Sequence, residues 1–275
     1  MQHLLAVDRE TLARQASSLR IAAGTLADSL KAGSFRSLYK GQGIEFAGVR
    51  EYLRGDDVRT IDWNVTARMG KPFVKMFDEE HELQIFLVVD RSLSMFTGLS
   101  GNTRYGTAAH TAALLAMAAE VNASPVGAVI FDGDIRFSCV PEAGRVRTMM
   151  LLARLDDAEE QAVPSSVLGN GLSGAGKILK KRSLVFVISD FRAGSWEDPL
   201  ASLAQKNDIV AVRISDAEDS ELPEMGTVPF CDCESGALLV LPTASSAFRN
   251  AWRTDGRERV MRWQETCMKH GVLPL

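Results

Sequence analysis

The sequence has few of the residues from which disulfide scaffolds, zinc sites and membrane spans are built. Its 275 residues include four cysteines and four histidines. Cys231 and Cys233 form a close pair, but zinc needs further sulfur or nitrogen ligands and no histidine is near them in sequence. The cysteine spacing is not that of a secreted disulfide scaffold. No stretch approaches the ~18–20 uninterrupted apolar residues of a membrane span, and no signal-like run precedes Asp8 and Arg9. These absences predict a cytoplasmic protein without membrane insertion.

The sequence also lacks a large excess of positive or negative charge. The chain has 31 lysines and arginines against 35 aspartates and glutamates, which gives a net charge of −4. No bulk electrostatic attraction therefore favours nucleic acid as a partner. Arginines gather near the C-terminus, but acidic residues alternate with them, which is typical of a solvated helix face.

The pattern of apolar residues divides the chain at about residue 80. Residues 9–31 have leucines and alanines at helical spacing, and the irregular segment after them predicts short strands and turns. Further on, the predicted strands are 83–89, 126–131, 135–140, 184–188 and 209–214, and the predicted helices are 107–121, 145–155, 172–179 and 195–207. A hairpin and a long C-terminal helix follow. This alternation predicts an α/β domain over 81–275, with a mostly parallel sheet and helices on both faces, and an N-terminal extension over 1–80.

Oxygen-bearing side chains follow two of the predicted strands. Asp90, Ser92 and Ser94 come after the first buried strand, and Asp190 comes after the strand at 184–188. In open α/β sheets, ligands bind beyond the carboxyl ends of the strands. Hard oxygen donors with little total charge suit Mg²⁺ or Mn²⁺. The two turns therefore predict a divalent-cation site. In the alternative interpretation, the serines cap the next helix and Asp190 simply ends a strand.

The Asp-x-Ser-x-Ser pattern at residues 90–94 resembles the metal-ion-dependent adhesion site of von Willebrand factor A domains. The resemblance implies a von Willebrand factor A-like, Rossmann-like fold. It also implies that a threonine from a second loop and an aspartate from a third complete the site. Asp190 matches the aspartate. Asn170 stands at the second-loop position, so the sequence departs from the family pattern there.

Residues 41–80 are similar to the signature of a bacterial family catalogued as domain of unknown function 58. Its members are von Willebrand factor A-like and are typically encoded beside MoxR-type AAA+ ATPases. The matching residues are Glu45, Phe46, Gly48, Arg50, Tyr52, Gly55, Asp56, Asp57, Arg59, Asp62, Trp63, Ala67 and Arg68. Their alternating charges predict either an ion-pair network that holds the N-terminal segment on the core or a surface that recognises a partner.

Motifs for enzymatic chemistry are weaker. Gly171–Lys177 fits the first seven positions of a P-loop, but Ile178 stands where the hydroxyl for Mg²⁺ belongs, and glycines at the start of a helix are the simpler interpretation. His110 lies among small apolar residues of a helix, which is typical of packing. Ser92 occupies the second acidic position of a phosphoryl-transfer Asp-x-Asp motif, which argues against a phosphatase.

These patterns together favour a non-enzymatic interaction module that binds Mg²⁺ or Mn²⁺. The resemblance implies a MoxR-type AAA+ ATPase as partner, with chaperone-like remodelling of an unknown client. Two alternatives remain open. One is a Mg²⁺-dependent phosphoester hydrolase in which Asp90 and Asp190 position metal and water. The other is an adaptor with a degenerate metal site that acts through residues 41–80.

Overall fold

The computed structural model describes residues 44–79, 83–98, 103–156, 168–231 and 237–275. They belong to two compact units, one containing residues 44–79 and Leu83 and the other containing the described residues from Gln84 onward. The helix predicted at 9–31 and residue Cys233 lie outside the described residues.

The first unit is a hairpin with a short helix in its connection. Strand β1 (Ile44–Glu51) pairs antiparallel with β2 (Phe73–Glu79), and helix α1 (Trp63–Met69) lies between them in sequence. Asp62 caps α1, because its carboxylate accepts hydrogen bonds from two backbone N–H groups of the first turn. Gly70 ends the helix with a left-handed backbone, at a φ of 70°. Short strands and turns were predicted here from the sequence.

The second unit is built on a six-stranded sheet. Its strands are β3 (Ile85–Asp90), β4 (Val126–Phe131), β5 (Ile135–Glu142), β6 (Leu184–Ser189), β7 (Asp208–Arg213) and β10 (Leu273–Pro274). Between β7 and β10 in sequence, β8 (Thr227–Cys231) and β9 (Leu238–Pro242) form a separate hairpin. The order across the sheet is β10-β7-β6-β3-β4-β5, and only β4 and β5 pair antiparallel. Counted from β3, this is the 3-2-1-4-5-6 order of doubly wound sheets. The prediction of a mostly parallel sheet is confirmed.

Helices cover both faces of this sheet. They are α2 (Arg104–Val121), α3 (Arg145–Asp156), α4 (Leu168–Ile178), α5 (Glu197–Ala204) and α6 (Ser246–Lys269). Phe86 and Val88 of β3 share a core cluster with residues of α4, α5 and α6. Leu87 and Val89 point to the opposite face, where α2 and α3 pack together, and are equally buried. None of the described helices combines the length and apolar character needed to cross a bilayer.

Three helices begin at other residues than predicted, and the first of them, α2, begins at Arg104 instead of residue 107. Helix α4 begins at Leu168 instead of residue 172, so the P-loop-like residues 171–177 are helical and form no phosphate-binding loop. A Cβ atom at Gly171 would lie 2.5 Å from the ring of Phe131, so this glycine serves close packing of α4 on β4. Helix α5 begins only after Trp196, because Ser195 has a φ of 60°, which no right-handed helix can hold.

Candidate metal centre

The predicted ligands Asp90 and Asp190 lie at the ends of two adjacent strands. Asp90 is the last residue of β3, and Asp190 directly follows Ser189, the last residue of β6. These two strands are parallel neighbours at the point where the strand order of the sheet reverses. In doubly wound sheets the ligand crevice opens at this point.

Both carboxylate oxygens of Asp90 accept hydrogen bonds inside the protein. The backbone N–H of Ser92 donates to Oδ1 at 2.9 Å, and the hydroxyl of Ser189 donates to Oδ2 at 2.6 Å. The side chain has no solvent exposure. This burial raises the pKa of Asp90 to about 6; the Ser189 hydrogen bond acts against the rise, and the charge of Asp190 adds to it. A nearby cation would therefore stabilise this carboxylate.

The two serines of the motif lie side by side. Ser92 Oγ and Ser94 Oγ are 3.2 Å apart and both residues are buried, at the start of a short 3-10 helix, Leu93–Phe96. Neighbouring oxygens around an octahedral Mg²⁺, at about 2.1 Å from the ion, are about 3.0 Å from each other. The observed spacing therefore fits two adjacent ligands of one small divalent cation.

Asp190 has one carboxylate oxygen without a hydrogen-bond partner. Its Oδ1 accepts the backbone N–H of Arg192 at 3.1 Å. Its Oδ2 is buried and unpartnered, and the Nε of Arg192 approaches it only to 4.0 Å. A buried acceptor normally has a hydrogen-bond donor, water or ion beside it. Carboxylate and hydroxyl oxygens are both hard donors, the type that Mg²⁺ or Mn²⁺ prefers.

Asn170 forms its side-chain hydrogen bond with a residue outside the two aspartates and two serines. It is in the first turn of α4, its side chain is exposed, and its amide donates to the carbonyl of Gly133 at 3.3 Å. No hydrogen bond within the described ranges joins it to Asp90 or Asp190. Because α4 starts early, Asn170 occupies a helical turn and not the loop expected from the resemblance. Its role as a ligand stays a prediction.

A buried arginine fixes the turn after β3. Arg104, the first residue of α2, donates to the carbonyl of Ser94 at 3.2 Å and to Oγ1 of Thr97 at 2.5 Å. Its other terminal nitrogen donates to Asp219 at 2.5 Å, and Arg192 donates to the same carboxylate oxygen. Asp219 therefore ties the turns after β3 and β6 to the segment after β7.

Sequence reasoning missed Ser189, Arg104 and Asp219. Ser189 carried a signal, because it is a polar residue at the buried end of a strand, next to a predicted ligand. Arg104 and Asp219 carried none, since 115 positions separate them and no local spacing relates the two.

In the first unit, the family signature contains one strong ion pair. The guanidinium of Arg50 binds Asp56 through two hydrogen bonds of 2.7 Å, and the backbone N–H of Leu53 donates to the same carboxylate. The Arg50 pairing lowers the pKa of Asp56. Gly55 lies inside this turn at a φ of 117°, a conformation that favours glycine.

Asp57 and Asp62 of the signature bind backbone N–H groups instead of basic side chains. Asp57 accepts from the N–H of Arg59 at 2.9 Å, and Asp62 caps α1. Tyr52 donates its backbone N–H to the carbonyl of Pro72. Within the described part of residues 41–80, the ion pairs are therefore Arg50 with Asp56 and the exposed pair of Lys71 with Glu51, at 3.0 Å. Trp63 is 69% exposed, so the first unit displays a large aromatic side chain.

Several solved structures are similar to this chain. An aerotolerance-related membrane protein from Bacteroides fragilis, with multiple mutations to serines, aligns with a TM-score of 0.45 and 16% identity, covering 64% of this chain and 88% of that one. Proximal thread matrix protein 1 from the mussel byssus aligns with a TM-score of 0.39 and 16% identity, covering 48% and 38%.

Curated relatives come from mycobacteria. Uncharacterized proteins of Mycobacterium bovis and Mycobacterium tuberculosis are each 29% identical over 236 residues, which is 84% of this chain and 74% of theirs. An uncharacterized protein of Mycobacterium avium is 34% identical over 58 residues, which is 21% of this chain and 34% of its own length. The profile of the family described as "Protein of unknown function DUF58" matches residues 48–262, most of the chain. The chain therefore belongs to the DUF58 family.

Proposed function

We propose that this protein is a non-enzymatic interaction module with a von Willebrand factor A-like fold, whose bound Mg²⁺ or Mn²⁺ accepts a carboxylate from a partner protein. One observation carries the proposal. At the reversal point of the strand order, two buried serine oxygens lie 3.2 Å apart, and the next strand end has a buried carboxylate oxygen without a hydrogen-bond partner. The serine hydroxyls are hydrogen-bonded to each other, but a buried carboxylate oxygen without a partner is unfavourable.

The donor set explains why the ion would recruit a partner. Ser92 and Ser94 offer neutral hydroxyls, so with Asp190 as the charged ligand the bound cation keeps a net positive charge. Asp90 has both oxygens engaged by Ser92 and Ser189 and would support the site without replacing the serines as ligands. A carboxylate from outside is the hard anionic ligand that such an ion takes at an open coordination position.

The resemblance of residues 41–80 supports the kind of partner. The similarity of residues 41–80 to the family signature implies a MoxR-type AAA+ ATPase encoded beside this chain. We propose that the protein acts in the cytoplasm as an adaptor or co-chaperone of that ATPase, and that the pair remodels an unknown client. The exposed Trp63 of the signature is the side chain best placed to contribute a second, metal-independent contact.

Titration calorimetry with Mg²⁺ and Mn²⁺ tests the metal centre directly. We expect binding to wild type, and a loss of at least about tenfold in affinity for Asp190→Asn, which removes a charged ligand. Asp198→Asn is the matched control, because Asp198 is an exposed carboxylate on α5. If neither ion binds at millimolar concentration, the adaptor with a degenerate metal site replaces this proposal.

A pull-down with the neighbouring ATPase tests the partner. Wild type and Asp90→Ala are each compared in Mg²⁺ and in EDTA. We expect strong capture only by wild type in Mg²⁺, because that sample alone combines an intact turn with a cation. Equal capture in all four samples would refute a metal bridge.

A further inference from the structure

A cleft of about 780 Å³ opens beside the candidate metal centre. It lies at the carboxyl ends of β3, β6 and β7, and α6 and the β8–β9 hairpin border it. Ser94 and Thr97 line one end, so the cleft and the metal centre share a wall. All of its lining residues belong to the second compact unit.

Large apolar side chains form much of the lining. Trp196 and Trp263 pack around Phe191, with ring centroids 5.3 and 5.5 Å from its own. The hairpin contributes Phe230 and Leu239, and Leu239 is 54% exposed. Phe191, Trp196 and Trp263 are themselves buried, so they form the floor of the cleft, and the exposed apolar surface is on the hairpin. An exposed apolar surface beside a cleft is typical of a binding site.

The charged residues of the lining are mostly arginines. They are Arg192, Arg213, Arg259 and Arg262, with Glu197 and Glu265. Arg192 donates to Asp219, and Arg259 lies 3.4 Å from Asp255, one turn away on α6. These two arginines are therefore already paired within the protein.

The other two arginines have no such partner. Across the described stretches of the chain, no carboxylate lies within 4.0 Å of the guanidinium of Arg213 or Arg262. Arg213 is half-buried over the indole of Trp263, at 5.9 Å from the ring centroid, and its burial lowers its pKa. At longer range Asp219 and Asp190 act against this shift, and Arg192 and Arg259 add to it. A partly desolvated cation without a direct counterion gains free energy when an anion pairs with it.

We propose that this cleft binds a segment of a partner protein in which acidic residues alternate with aromatic or large aliphatic residues. The acids pair with Arg213 and Arg262, and an apolar side chain packs against Phe230 and Leu239 of the hairpin. A small inorganic anion would leave the apolar walls in water. The continuous phosphate charge of a nucleic acid would meet the two lining glutamates and a chain of net charge −4. This inference goes beyond the metal-dependent function and does not need the cation.

Fluorescence anisotropy of the full chain in EDTA tests the cleft. The probe is a labelled peptide, Gly-Asp-Phe-Asp-Leu-Asp-Phe-Gly, compared with the same peptide carrying Asn in place of each Asp. We expect the acidic peptide to bind at least about tenfold more tightly, as charge-assisted hydrogen bonds predict. Because EDTA removes divalent ions, this result does not depend on the metal centre.

Two pairs of variants place the binding in the cleft. Arg262→Gln is compared with Arg257→Gln, since Arg257 is an exposed arginine of the same helix that does not line the cleft. Leu239→Ala is compared with Leu238→Ala, its exposed neighbour outside the lining. We expect Arg262→Gln to weaken binding about tenfold, Leu239→Ala to weaken it several-fold, and both controls to bind like wild type.

Four results would overturn the proposal. They are no saturable binding of the acidic peptide up to about 1 mM, equal affinity for the Asn peptide, equal effects of Arg262→Gln and Arg257→Gln, and tighter binding of a labelled single-stranded oligonucleotide that Arg262→Gln abolishes. The last result would assign the same arginines to a phosphate ligand.

Discussion

At the scale of single residues, Asp90 combines full hydrogen bonding with an unfavourable charge. Donors from Ser92 and Ser189 satisfy its two oxygens, yet burial still raises its pKa to about 6 from an ordinary value near 3.8. Hydrogen bonds therefore do not offset the desolvation of the carboxylate. A cation beside the carboxylate would offset this desolvation. Binding of the cation and loss of the Asp90 proton are therefore linked.

We expect Asp90→Asn to stabilise the metal-free protein at pH 7.5. The amide keeps the shape, and the Ser189 hydroxyl can accept a hydrogen bond as well as donate one. A pKa raised by about two units corresponds to about 3 kcal/mol at a pH above both values. The measurement is chemical unfolding of both proteins in EDTA.

The pH dependence of this difference identifies its cause. Between about pH 4 and 6 the unfolded state loses the Asp90 proton while the folded state keeps it, so wild-type stability falls as the pH rises through this window. The advantage of Asp90→Asn should therefore shrink to about 1 kcal/mol at pH 4.5. An advantage that is the same at both pH values would exclude burial of the charge as the cause.

At the scale of elements, α4 depends on glycine for its contact with β4. Gly171→Ala would place a Cβ 2.5 Å from the Phe131 ring, whereas the nearest atom to a Cβ at Gly176 is 3.7 Å away. We expect Gly171→Ala to destabilise the fold by about 1–3 kcal/mol through overpacking. Gly176→Ala should be neutral or stabilise by up to about 1 kcal/mol, because alanine favours helix. Chemical unfolding of the two variants measures the contrast, and equal effects would contradict it.

The apolar strands of the central sheet could be predicted from sequence because the packing that buries them leaves a local pattern. Residues 126–131 form a continuous apolar run, since a central strand with helices on both faces has no solvated side. The start of α4 could not be found in this way. Its glycines at 169 and 171 are typical of a loop. Contacts with residues far away in sequence explain them, the carbonyl of Ser195 for Gly169 and the ring of Phe131 for Gly171.

Part of the candidate site could also be predicted from local sequence. Asp90, Ser92 and Ser94 lie at the end of β3 and in the turn after it, and Asp190 directly follows β6, so local spacing was enough to select them as candidates. The cleft was not predictable. Its residues come from positions as distant as Ser94 and Arg262, and only the folded chain brings them to one edge of the sheet.

At the scale of the whole molecule, Asp219 connects three segments that are remote in sequence. It binds Arg104 and Arg192 and caps its own short turn by accepting the N–H of Asp216. Asp219→Asn would leave two positive charges together with little solvent, a change that typically costs about 3–5 kcal/mol. We expect a fall of this size in unfolding free energy, with Asp198→Asn unchanged. A fall below about 1 kcal/mol would show that solvent already screens the pair.

Binding of a cation should also appear as stability of the second unit as a whole. A ligand that binds only the folded state adds about 2.7 kcal/mol at a hundredfold excess over its Kd, which corresponds to about 5–10 °C in Tm for a unit of this size. We therefore expect thermal unfolding of wild type to shift upward with the logarithm of Mg²⁺ concentration, followed by the near-ultraviolet signal of the buried Trp196 and Trp263. Asp190→Asn should show at most about half of this shift, because it loses the unpartnered carboxylate oxygen and a tenfold weaker Kd leaves about 1.4 kcal/mol at the same Mg²⁺ concentration. A parallel rise in both proteins would trace the effect to general salt screening and not to an ion held between β3 and β6.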